Sequence, residues 1–191
     1  MSKTSATLPA ADLARTVVFA AFIAVLGLFP GVYVGGSGVP IIVQNIGPLL
    51  AGSILGARRG TASVVLLLAL TAIGLPLLSG GRGGIGPFIG PSGGFLLGWI
   101  LSALVAGLIV RRLRTPNLGW LLLANLAGLV ADYVIGIPFL GIYTGHMGTA
   151  FVQSMVFVPG DLAKVVIAAL VASVVHRALP GRLAGSEARS E

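Results

Sequence analysis

The chain contains no cysteine, which excludes disulfides and thiolate metal sites and leaves the redox compartment open. Asp and Glu together number five, His two, and charged residues make up 9% of the 191 positions. A soluble domain carries about 25% charged residues, so a water-covered globular surface is excluded. Nor is there length for a separate soluble domain of ordinary size, which removes ATP binding and hydrolysis from what this chain does alone. The net charge of +7 and the pI of about 11.2 invite a nucleic-acid reading. The Lys and Arg, however, stand in short clusters between apolar runs, as they do in cytoplasmic loops of membrane proteins. No nucleic-acid partner is expected. His146 has no second ligand at metal spacing and reads as an interfacial residue, so no metal site is expected.

What the chain has is apolar sequence: 56% of residues are hydrophobic. At about 20 residues per crossing, the length accommodates roughly five to seven membrane helices. The fold class read from this is all-α, a polytopic integral membrane protein with six transmembrane helices. The first hydrophobic segment lacks a small-residue cleavage site and reads as a retained span, not a signal peptide. Expected boundaries are a flexible N-terminal tail over 1–14, a membrane domain over 15–178 and a disordered tail over 179–191. Within the domain the spans are 15–30, 41–55, 61–78, 94–110, 118–140 and a last hydrophobic stretch 149–175. That last stretch is broken at Pro159-Gly160, so its first part reads as a separate short helix. A glycine-rich connection covers 31–40, the basic turns are 57–60 and 111–117, and residues 141–148 form a short connection. A formal GxGxxG at Gly81, Gly83 and Gly86 is no dinucleotide fingerprint, because no strand precedes it.

Few polar groups interrupt the apolar runs. Asp161 and Lys164 sit at i and i+3 on one face of a helix that opens with Pro159. Each charge costs about 2.5–3.5 kcal/mol at mid-membrane depth and less near the interface. They form either an internal ion pair or part of a site. Gln44 and Asn45 are amides seeking a partner helix or a ligand. Asp132 is neutral, paired or turned to a polar cavity. Arg82, alone in the glycine-dense stretch 79–94, is a solvated loop residue or the anion-binding residue of a lid. Ala20 and Ala24 form a small-xxx-small face, as do Gly94 and Gly98.

Six spans put Lys3, Arg15, Arg58, Arg59, Arg111, Arg112, Arg114, Arg177, Arg182 and Arg189 on one side, ten of the twelve basic residues. By the positive-inside rule that side is cytoplasmic, and both termini with it. Gln44, Arg82, Asp161 and Lys164 then lie toward the external half, with Asp132 within reach.

Several blocks in order carry a family resemblance: Val39-Pro40-Ile41-Ile42-Val43-Gln44, the run from Leu50 to Gly60, Ala72-Ile73-Gly74-Leu75-Pro76, Gly90-Pro91-Ser92-Gly93-Gly94-Phe95-Leu96-Leu97-Gly98, and Val158-Pro159-Gly160-Asp161-Leu162-Ala163-Lys164. The chain resembles the BioY family, the biotin-binding S components of energy-coupling-factor (ECF) importers. It departs in having Phe95 where tyrosine is common, and Ile42-Val43 for an Ile-Thr pair. The resemblance implies a six-helix, multi-pass protein of the prokaryotic plasma membrane. Biotin would be its transported ligand, with no cofactor and no enzymatic activity. It also implies a transmembrane coupling subunit and two cytoplasmic ATPase subunits as partners, with Ala20 and Ala24 facing the coupling subunit.

The polar groups suit that ligand. Asp161 can accept from the ureido N–H groups, and Lys164 can neutralise Asp161 or the ligand. Arg82 can bind the valerate carboxylate bidentately, Gln44 or Asn45 can complete the carbonyl side, and Asp132 stands near. The competing readings are an S component for another vitamin, a ligand-free assembly subunit, and an intramembrane hydrolase using an Asp132–Asp161 dyad. Lys164 disfavours the last by holding Asp161 ionised.

Overall fold

The computed structural model describes residues 10–33, 36, 38–113 and 116–179. Most of the two expected tails lies outside the described residues, and with them Lys3, Arg114, Arg182 and Arg189. The first helix, α1, runs Ala10–Leu26, so residues 10–14 are its opening turn and not part of a tail. The cause is charge pairing: the Asp12 carboxylate receives Arg59 Nε at 2.9 Å and Arg15 Nη1 at 3.5 Å. Thr16, Ala20 and Ile23 form its buried face, packed on the next long helix. Leu13, Val17, Val18, Phe22 and Val25 face outward.

The glycine-rich connection closes as a two-stranded antiparallel ribbon, β1 (Val32–Tyr33) and β2 (Pro40–Ile41), pairing Val32 with Ile41 and Tyr33 with Pro40. Helix α2 (Ile46–Ala72) then doubles back at Gly56, whose φ of 80° and ψ of 178° are non-helical. A side chain there would strain the backbone, and glycine adopts it freely. The reversal occupies that single residue. Ala57–Gly60, expected as the turn, are already helical, and Ser63 Oγ donates to Arg59 O at 2.9 Å. A Cβ on Gly60 would collide with the Ala51 backbone, so the two arms of α2 lie against each other.

Beyond α2 the glycine-dense stretch is anchored: Leu78 bridges Arg82, and Gly84 N donates to Thr71 O at 2.8 Å. It contains one helical turn, α3 (Gly86–Ile89). Helix α4 (Gly93–Arg111) matches its expected span to within a residue at each end. Helix α5 (Leu118–Thr144) is capped by Asn117, which accepts from Trp120 N at 3.0 Å, and it continues through Pro138 to a left-handed Gly145. Residues 141–144, expected in a connection, therefore belong to α5. The short helix α6 (Met147–Met155) and α7 (Val158–Ala178) divide the last apolar stretch as expected. The break falls just before Pro159, because proline fits the first turn of α7.

Among the described residues, four helices, α2, α4, α5 and α7, are long and apolar enough to cross a membrane. Helix α4 packs on both α2 and α5 through glycines, with Gly52 against the Ala103 backbone and Gly94 against Phe139. Such contacts replace the hydrophobic drive that lipid cannot supply between helices. At one end of the bundle, His176 on α7 meets Ser53 O at 2.8 Å. Arg15, Arg58, Arg59, Arg111, Arg112 and Arg177 gather at this same end. Among the described basic residues, only Arg82 and Lys164 lie at the other.

Candidate ligand-binding site

At that other end, β2, the first turn of α7 and the facing sides of α4 and α5 line a cleft that is partly open to solvent. Pro159 and Gly160 place Asp161 in the opening turn of α7, where a carboxylate is favoured by the free amides of a helix start. Its Oδ1 accepts from Lys164 Nζ at 2.7 Å and Asn45 Nδ2 at 3.0 Å, and its Oδ2 accepts from Tyr133 Oη at 2.7 Å. The side chains of Lys164 and Asp161 are 14% and 5% exposed. A pair this dry persists only with such additional donors. Because Asp161 has both oxygens engaged by three donors, it shares no proton with Asp132. That removes the aspartyl-dyad reading.

Among the buried acceptors that have no partner in the described residues are Asn45 Oδ1 and Asp132 Oδ1. Both residues line the cleft. Asp132 fits because Gly98 faces it across the α4–α5 contact, where a Cβ would strike its carboxylate. A buried polar atom left unpaired costs about 1–3 kcal/mol, so two of them facing one cleft mark a place for donors. The cleft walls are aromatic. Phe95 stands edge-on to Tyr133 and to Phe157, each at 6.1 Å between ring centres, and Trp99 closes the wall one turn along α4. Arg82 lies at the rim, its Nε donating to Ser79 O at 3.0 Å. It is shared with a shallow glycine-lined depression running toward Pro87 and Pro91.

Asp161, Lys164, Asn45, Asp132 and Arg82 therefore converge. Gln44 does not. It is fully buried behind the cleft, its Nε2 donating to Ile23 O (3.1 Å) and Leu77 O (2.8 Å) and its Oε1 accepting from Ser79 N (3.0 Å). Its expected ligand contact is corrected to a structural link. Of the two small residues on α1, Ala20 is 4% exposed and turned toward α2, whereas Ala24 is half-buried beside Ile23. The reading of isolated charges missed Tyr133 and the aromatic walls. The signals were Tyr133 beside Asp132 and the i, i+4 spacing of Phe95 and Trp99. Among the described residues no group of His, Cys, Asp and Glu is placed to hold a metal.

Residues 1–181 match the family model described as the BioY family. The biotin transporter BioY of Rhizobium etli is 45% identical over 88% of this chain and 95% of its own length. That of Rhodobacter capsulatus is 42% identical, covering 87% and 93%. A crystal structure of the S-component for biotin from an ECF-type ABC transporter matches with a TM-score of 0.83 and 33% identity. The match covers 93% of this chain and 95% of that one. A family model spanning most of the chain, full-length relatives and a shared fold agree: the chain belongs to the BioY family.

Proposed function

We propose that this protein is the membrane-embedded S subunit that captures biotin on the external side of the cell membrane for ATP-driven uptake by an ECF importer. It works as a transport subunit and not as an enzyme, and its partners are a transmembrane coupling subunit and two cytoplasmic ATPase subunits. The six helical passes α1, the two arms of α2, α4, α5 and α7 each cross the bilayer. The arginine-rich end and both termini are cytoplasmic, in keeping with the positive-inside rule.

The observation that carries the reading is the match between unpaired groups and ligand. Asn45 Oδ1 and Asp132 Oδ1 are two buried acceptors without donors, and the ureido ring of biotin brings two N–H groups. Lys164, with ammonium protons beyond the one given to Asp161, serves the ureido oxygen. Phe95, Trp99 and Phe157 take the apolar bicycle, and Arg82 at the rim takes the valerate carboxylate. Inside the cleft Lys164 is already neutralised by Asp161, which leaves no free positive charge there for the ligand's own carboxylate. The carboxylate is therefore best placed at the rim, where water still screens it.

Titration of purified protein with biotin and with its N-methylated ureido analogue tests the match. Biotin is expected to bind at least tenfold more tightly, because methylation leaves one buried acceptor empty. Equal affinity for the two would remove the ureido assignment, and binding of neither would remove biotin.

A further inference from the structure

Gln44 lies in the turn ahead of α2, outside the cleft, and its amide reaches three backbone groups on two separate segments. One is the end of α1 at Ile23, and the others are Leu77 and Ser79 in the stretch leading to Arg82. Only one amide orientation satisfies two carbonyls and an N–H, so the side chain has a single setting. Ser79 in turn holds Arg82: its carbonyl accepts Arg82 Nε at 3.0 Å. The paired amides of Leu78 and Arg82 close the turn between them at 3.0 and 3.1 Å. Around this turn Gly80, Gly81 and Gly84 all stand at positive φ, with Gly84 N held by Thr71 O at 2.8 Å. Glycines at such positions cost entropy to order, so the fixed point matters. That point is Ser79, tied by its N–H to Gln44 and by its hydroxyl to Phe29 O at 2.6 Å.

We propose that Gln44 is a positioning residue that sets Arg82, and through it the preference of the cleft for a ligand bearing a carboxylate. The inference rests on the reading of Arg82 as the carboxylate partner. Gln44 touches no ligand; it fixes the carbonyl that aims the guanidinium. A 1 Å drift of that carbonyl would turn a two-pronged contact into a single one. The end of α1 belongs to the same unit, because a Cβ on Gly27 would meet both Gln44 Nε2 and Leu77 O.

The test is calorimetric titration of the full chain in detergent with biotin and with biotin amide, read as the ratio of the two affinities. The unaltered protein is expected to favour the acid by about tenfold or more, and Arg82→Ala to abolish that ratio. Gln44→Met keeps the length of the side chain and removes the acceptor for Ser79 N. It is expected to lower the ratio toward that of Arg82→Ala, and the double variant is expected to go no further, as for two residues acting through one contact. Gly27→Ala perturbs the same amide from α1 and leaves Gln44 in place, and the same fall in ratio is expected should Gln44→Met not fold. A general packing role would weaken acid and amide alike. An unchanged ratio in Gln44→Met or, failing that variant, in Gly27→Ala overturns the inference and leaves Arg82 in its role. An unchanged ratio in Arg82→Ala overturns the carboxylate assignment and the inference together.

Discussion

A carboxylate and an ammonium 2.7 Å apart, with 5% and 14% of their side chains exposed, are costly to withdraw from water. Their attraction offsets that cost only when further donors complete the site. Asn45 and Tyr133 supply those donors. The charges themselves were readable in the sequence, since Asp161 and Lys164 are spaced i, i+3 in an otherwise apolar run. Which of two adjacent amides faces the cleft was not readable. A single turn of backbone sends Asn45 to Asp161 and Gln44 to Ile23, Leu77 and Ser79, and nothing in the residue types distinguishes them. Asp132 depends on a neighbour with no side chain. Gly98→Ala is therefore expected to weaken biotin binding by about tenfold or more, because the new methyl displaces an acceptor that the ligand needs. Titration of the variant checks this, and unchanged affinity would mean that Asp132 is not used.

For the helices, glycine and proline were reliable punctuation where they end an apolar run, as at Gly93 and Pro159, and less so inside basic or mixed stretches. The reversal at Gly56 was expected one residue late, because the arginines at 58 and 59 read as a loop. They are instead the start of the second arm, with Arg59 held by Asp12. The orientation of α1 was not readable either. A membrane helix apolar on every side has no polar face to mark its exterior, and small residues suit an internal contact as well as an external one. Since Ala20 is 4% and Val18 67% exposed, tryptophan at the two positions should act differently. Ala20→Trp is expected to destabilise the isolated protein by about 1–3 kcal/mol or more through overpacking, and Val18→Trp by little. Thermal unfolding in detergent checks this; the opposite order would place Ala20 on the outer surface.

Taken as a whole, the molecule separates its charges by end. The arginines gather near Gly56 and the end of α7, whereas the cleft opens beside the β1–β2 ribbon and α6. The absence of cysteine makes sidedness testable with single reporters. His146→Cys is expected to react with an impermeant thiol reagent added outside intact cells. Arg112→Cys is expected to react only after the membrane is opened, and the reverse pattern would invert the topology. The mostly helical class and the gathering of polar groups at one end of the bundle followed from composition and charge order, whereas the β1–β2 ribbon did not. The identity of the ligand required the family blocks, because a polar cleft in a bilayer accepts more than one chemistry. The central claim is that the buried Asp161 cluster is the biotin site. Calorimetric titration of biotin into the purified, folded protein and its Asp161→Asn variant tests it most directly. Removing one member leaves Lys164 uncompensated, a loss of about 2–5 kcal/mol. The prediction is one biotin bound per chain, with affinity lowered by at least tenfold in Asp161→Asn while the unfolding transition is retained. Unchanged affinity in a folded Asp161→Asn protein would contradict the account.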